Sequence, residues 1–132
     1  MIGLVIAALL QATVAFTTVA RGFNSQISEP REVIVRTAAE WQTLWKAHDG
    51  ARQPTIDFSK STVIGVFLGT RMTAGYEVDI VSVRAQGATT VVEYREQRPE
   101  PDAFLAQALT APFHLVSIPR RDGAIEFRKT GP

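Results

Sequence analysis

The chain has no cysteine, and that absence removes several chemistries at once. Disulfide staples, thiol nucleophiles, zinc–thiolate centres and lipid-modified cysteine anchors all need the residue. An excess of one charge is also lacking: 14 Lys and Arg stand against 13 Asp and Glu, for a net charge of +1. A phosphate-tracking surface needs a basic stripe. The sequence offers the short Arg120–Arg121 pair, so no nucleic-acid partner is expected.

Histidine is scarce, at two residues. His48 falls at the end of an expected helix, where the helix dipole favours a cation. His114 sits between Phe113 and Leu115 with no second histidine spaced for a shared metal. No H-E-x-x-H motif, G-x-S-x-G elbow or phosphate loop is present. Glu77 and Asp79 on one run, with Glu93 and Glu96 on another, read as a solvated sheet face balanced by Arg84 and Arg95. The expectation is a protein that is not an enzyme, with no catalytic residue, metal or cofactor.

What is present suits one folded domain. The chain has 132 residues, 45% hydrophobic and 20% charged, enough for a single core and too short for a second. Residues 1–20 carry no charged side chain, but Gln11 and several threonines interrupt the apolar run, which argues against a membrane span of about 20 residues. We read residues 1–12 as a signal peptide, with Ile2–Leu10 as its apolar core and Ala12 before the cut, although Lys and Arg are missing near its start. Residues 13–132 form the domain. No membrane anchor beyond the leader is expected, and the location is periplasmic or secreted. Thr13 to Arg21 is β-branched and reads as a strand.

The clearest local signal is Thr37-Ala-Ala-Glu40, a capping box. Trp41, Leu44, Trp45 and His48 follow on one helical face, and Gly50 suits a left-handed helix end. These features predict an amphipathic helix over 38–48. Strands are predicted at 32–36, 62–68, 76–84, 89–96, 113–118 and 124–128. Thr62–Leu68 is continuously apolar and reads as a buried central strand; 76–84 and 89–96 form a hairpin; Arg120–Gly123 turns between the last two. Asp102 caps a short helix over 103–109, with an extended segment as the alternative. The fold class is α+β: one small domain, a curled and mostly antiparallel sheet of six or seven strands, and one helix packed on it.

The segment Gly69-Thr-Arg-Met-Thr-Ala-Gly-Tyr76 is overbuilt for a simple connection. Arg71 and Met72 stand in an exposed turn between two glycines, and Met, Arg and Tyr are enriched at interfaces. The bland alternative is an ordinary loop in which Gly75 takes positive φ and Tyr76 enters the core.

The same segment resembles the G-x-(R/K)-x-T-G-G-Y motif of the PrcB C-terminal domain. Glu96-x-x-Pro99 and Leu109-Thr-x-Pro-Phe-His-Leu-Val-x-Ile118 are similar to that domain's second motif, and Gly22-x-x-Ser25, Glu40-Trp41, Leu44-Trp45 and Asp57-Phe58 to the region before it. The resemblance runs over roughly residues 20–128. Ala74 departs from the family's usual glycine, and the lipobox cysteine of lipoprotein members is missing. The family takes its name from a subunit that accompanies an extracytoplasmic protease. The resemblance therefore implies a non-catalytic interaction module, an accessory or stabilising subunit of such a protease. Its expected partner-binding residues are Arg71, Met72, Thr73, Gly75, Tyr76, Pro112, Phe113 and His114. Two alternatives stay open. Thr73-Ala-Gly-Tyr76 also resembles the T-T-G-Y loop of chagasin-type protease inhibitors, which are all-β. A small ligand-binding protein is the other. The sequence leaves the oligomeric state open.

Overall fold

The computed structural model describes residues 11–131. The expected leader lies outside the described residues up to position 10; Gln11 and Ala12, at its end, are already in a strand. The elements in chain order are β1 (Gln11–Thr13), β2 (Thr17–Gly22), β3 (Arg31–Val35), α1 (Ala38–His48), β4 (Ser61–Phe67), β5 (Glu77–Gln86), β6 (Thr89–Gln97), β7 (Phe113–Pro119) and β8 (Ile125–Thr130).

The eight strands form two four-stranded sheets, ordered β1-β5-β6-β8 and β2-β7-β4-β3, rather than one curled sheet of six or seven. The sheets pack face to face over Ile64, Val66, Val78, Ile80, Val83, Val92, Val116 and Ile118. The second sheet has a further core on its other face, where Trp41, Leu44 and Trp45 of α1 meet Val63, Phe67, Phe113 and Leu115. The molecule is thus three layers, helix on sheet on sheet. β4 lies in the middle layer and is buried on both sides, so its run has no polar alternation to show.

The helix forms where the capping box placed it. Thr37 is the extended N-cap, and its Oγ1 accepts from the Glu40 N–H at 3.1 Å. Glu40 Oε1 in turn accepts from the Arg36 N–H at 3.3 Å. Gly50 ends the helix at φ 73°. Both indoles are satisfied while buried: Trp41 donates to Pro54 O at 2.9 Å and Trp45 to Ala51 O at 3.0 Å, tying the 51–60 loop beneath the helix.

Three expectations are corrected. The strand expected from 13 to 21 is two strands in different sheets. The chain turns the corner at Val14–Phe16, whose Val14 and Phe16 side chains plug the edge of the inter-sheet core. Residues 120–124 do not close a hairpin. They carry the chain across the sandwich, so β8 joins the other sheet parallel to β6. Residues 103–109 are neither helix nor strand; the Ala74 N–H donates to Ala106 O at 3.2 Å, and the Ala108 N–H turns back to the same carbonyl at 3.0 Å.

Candidate functional site

Three connections meet at one end of the sandwich: 69–76 between β4 and β5, 98–112 between β6 and β7, and 23–30 between β2 and β3. Arg71 and Thr110 exchange backbone hydrogen bonds at 2.7 and 2.9 Å, and the Ala111 N–H donates to Phe23 O at 2.6 Å. The end is a laced surface on a rigid mount.

Two glycines make the lacing possible. Gly69 has φ 78°, and a Cβ there would stand 2.8 Å from Pro30 N and from Ser28 O. Gly75 has φ 99°, and a Cβ would stand 2.8 Å from the Pro99 Cβ. Both positions exclude side chains on conformational and steric grounds. Ala74 has no positive φ, so its departure from glycine carries no backbone strain.

Arg71 is a hub rather than a free cation. Its guanidinium donates to Leu68 O at 2.9 Å and to Glu96 Oε1 at 2.8 Å, and lies 5.4 Å over the Tyr76 ring. The Glu96 side chain is only 2% exposed, and its other oxygen takes Lys129 Nζ at 2.7 Å. Burial pushes its pKa up, but the hydrogen bonds from Lys129 and Arg71 outweigh that and bring it down to about 2. Beside this carboxylate a cleft of about 280 Å³ runs between β3 and β6. There Tyr94 donates to Glu32 Oε2 at 2.8 Å, and burial together with that carboxylate pushes the phenol up to about 12.

The remaining expected site residues divide by exposure. Met72 stands at the loop tip, 73% exposed. Thr73 is half-buried, its hydroxyl donating to Ala74 O and its own carbonyl accepting from Thr110 Oγ1, each at 3.0 Å. Tyr76 and Gly75 line a mostly apolar groove of about 490 Å³ with Phe23, Ala74, Gln97 and Thr110. Pro112, Phe113 and His114 are buried, which withdraws them from any docking surface. Phe113 is stacked on Phe67 and set edge-on to His48, with ring centroids 4.3 Å apart in the second contact. The His114 ring lies between the sheets. Over Phe113–Val116 both β7 faces are covered, one by helix and one by sheet, so these side chains have nowhere exposed to point.

His48 is also buried, its Nδ1 2.8 Å from Ser25 Oγ. Burial lowers its pKa and outweighs the opposing Asp49 charge, so the helix-end cation expected there is a neutral ring instead. Of the carboxylates, Glu93 pairs with Arg84 as expected, but Asp79 pairs with Arg21 and Glu96 with Arg71 and Lys129. Among the described residues, no group of three His, Asp or Glu side chains is arranged to hold a metal ion.

Sequence reasoning missed Phe23, Phe104 and Leu109, all exposed apolar residues of this end. Phe104 and Leu109 carried a usable signal, since apolar residues flanked by Pro99, Pro101 and Pro112 in a strand-free stretch are a connection with exposed hydrophobes. Phe23 carried none.

Residues 62–119 match the family model described as PrcB C-terminal, which supports the PrcB-like assignment. The match spans β4 to β7 and includes both the 69–76 and 98–112 connections; the resemblance outside those limits is not matched. It is consistent with a domain associated with a protease complex. No curated protein and no solved structure matches the chain.

Proposed function

We propose that this PrcB-like chain is a non-catalytic, exported interaction module, acting in the periplasm or outside the cell as an accessory or stabilising subunit of an extracytoplasmic protease. One observation carries the reading. Met72, Phe23 and Leu109 expose apolar surface on the connections of this end, Phe23 lining the Tyr76 groove, and Gly69, Gly75 and the Arg71–Thr110 bridge fix those connections. Exposed hydrophobes on a floppy loop lose entropy on binding; the same residues on a preorganised end lose less. Two of the three connections that build the end, 69–76 and 98–112, fall inside the matched segment, and the 23–30 connection lies before it.

The test is crosslinking in the native host, followed by capture of the tagged full chain and identification of what is bound. Wild type is expected to recover a protease-containing assembly, and the Met72→Asp, Leu109→Asp double variant to lose it. Arg71→Glu is a poor probe because it also strips Glu96 of its partner. Equal recovery by both proteins, or no protease with wild type, sinks the reading. N-terminal sequencing of the protein in the periplasmic or culture fraction tests export separately.

A further inference from the structure

Among the described residues, the four sheet edges are not alike. An unpaired edge invites another strand, and soluble proteins blunt their edges with charge, bulges or brevity. β1 pairs over three described residues at the far end of β5. β2 has a register shift between Thr18 and Ala20. β8 carries Glu126, Arg128 and Lys129. β3, Arg-Glu-Val-Ile-Val, pairs with β4 through all five residues without a bulge, and its second half is apolar.

The backbone phase of β3 follows from its neighbours. The Leu68 N–H donates to Pro112 O, and the Arg120 N–H to Lys60 O, so even-numbered residues of β4 bond toward β7. Odd-numbered ones therefore bond toward β3, where Arg31, Val33 and Val35 stand opposite Phe67, Gly65 and Val63. The N–H and C=O of Glu32 and Ile34 then point off the sheet edge. The Arg36 N–H shares their direction and is already taken by Glu40, which agrees with this phase. Next to the edge lies an apolar groove of about 450 Å³ between Val33 and Val35 of β3 and Ala39, Thr43, Leu44 and Ala47 of α1.

We infer that this edge is a dimer interface, and that its occupant is β3 of a second copy of the chain. Antiparallel pairing about a two-fold axis at Val33 sets Glu32 opposite Ile34 of the second copy. Each such pair exchanges both backbone hydrogen bonds, which uses every free outward group of the strand and leaves the Glu40 cap intact. The charges also match. Arg31 of the second copy falls opposite Val35, with its stem over the apolar groove and its head toward Glu40, which lines it. On the opposite face Glu32 and Arg36 stay engaged within their own chain, Glu32 with Tyr94 and Arg36 with the Arg121 and Gly123 carbonyls, so the Arg31–Glu40 match is the one that bears on pairing. Ala39, Thr43 and Ala47 are small enough for the two α1 helices to lie side by side. The interface is isologous, so it closes at two chains and removes the open edge from both.

Light scattering on the full chain across a dilution series tests this. The expected result is the mass of two chains, falling to one on dilution. Glu32→Pro removes an outward N–H while keeping every β3–β4 bond, and Thr43→Arg blocks the groove from the helix side; each is expected to give the single-chain mass with an unchanged far-ultraviolet spectrum. If one variant fails to fold, the other still decides. The absence of native cysteine allows a direct geometric check. Val33→Cys is expected to crosslink to itself under mild oxidation, with Ser59→Cys on a distant loop as the uncrosslinked control. A wild type of single-chain mass at about 0.5 mM, which corresponds to about 4.5 kcal/mol of association, overturns the inference. So does a dimer that survives both variants, or equal crosslinking at positions 33 and 59.

Discussion

The Nδ1 of His114 accepts a hydrogen bond from the Ile80 N–H at 2.9 Å, and the two residues belong to different sheets. An acceptor at Nδ1 leaves the ring proton on Nε2, which stands 2.9 Å from Thr18 Oγ1. The imidazole is therefore held neutral and in one tautomer, clasping β5 to β7 and β2. Ile80 sits beside the register shift between Ile80 and Ser82, where, among the described residues, β5 has no strand on its outer side. His114 covers that bare edge.

This arrangement makes stability fall on mild acidification. Burial, then Arg21, lower the His114 pKa against the opposing Asp79, and burial lowers that of His48 against Asp49. The unfolded chain binds the protons more readily, so the stabilisation is complete above the ordinary histidine value of about 6.5 and is lost as pH falls below it. Thermal unfolding followed from pH 7.5 to 5 is expected to show a declining midpoint. The decline should flatten in His114→Gln, at a cost of about 1–3 kcal/mol at pH 7.5 for the broken clasp. A midpoint independent of pH over that range rejects the assignment.

Glu96 adds a second acid-sensitive limb at lower pH. Its folded pKa of about 2 is below the ordinary 4.5, so its contribution is present above 4.5 and lost as pH falls toward 2. Glu96→Gln is expected to remove that limb and to cost about 1–3 kcal/mol at pH 7, less than a fully buried pair because Arg71 and Lys129 are partly exposed. Urea titrations at pH 7 and pH 3 measure both effects.

Exchanging glycine and alanine should lower stability at both Gly69 and Ala74, by different amounts and for different reasons. Gly69→Ala forces a side chain into positive φ and against the backbone of residues 28–30, at an expected cost of more than about 1 kcal/mol. Ala74→Gly touches no such constraint and is expected to change stability by about 0.4–1 kcal/mol, through the freedom it adds to the unfolded chain. Chemical denaturation of the two variants in parallel separates these cases.

Trp41→Ala is expected to cost about 3–5 kcal/mol, since it empties the interface between α1 and the middle sheet. Thr37→Ala should cost about 1 kcal/mol, through the lost cap alone. A Trp41 value near that of Thr37 would show that α1 is not part of the core. Denaturation midpoints by circular dichroism decide it.

The helix was legible in the sequence because its signals are local: a cap, a face and a terminal glycine lie within 14 residues. β4 was legible because burial on both sides leaves a continuous apolar run. The division into two sheets was not legible. Whether Ser117 and Ile125 belong to one hairpin or to opposite layers depends on contacts that no short window contains. The same limit applied to the site. Arg71 and Tyr76 were found through their loop, but the burial of Phe113 and His114 depends on layers contributed by residues 38–48 and 77–86. The 103–109 segment has helix-forming residues, and its anchorage to Ala74 overrides them.

The corner at Val14–Phe16 bears on the order in which the molecule can assemble. β1 pairs with residues 84–86 and β2 with residues 113–117, so the earliest strands made have no partners until most of the chain exists. Such distant pairings slow folding. For as long as the C-terminal half is missing, the N-terminal strands remain an unpaired, threadable chain.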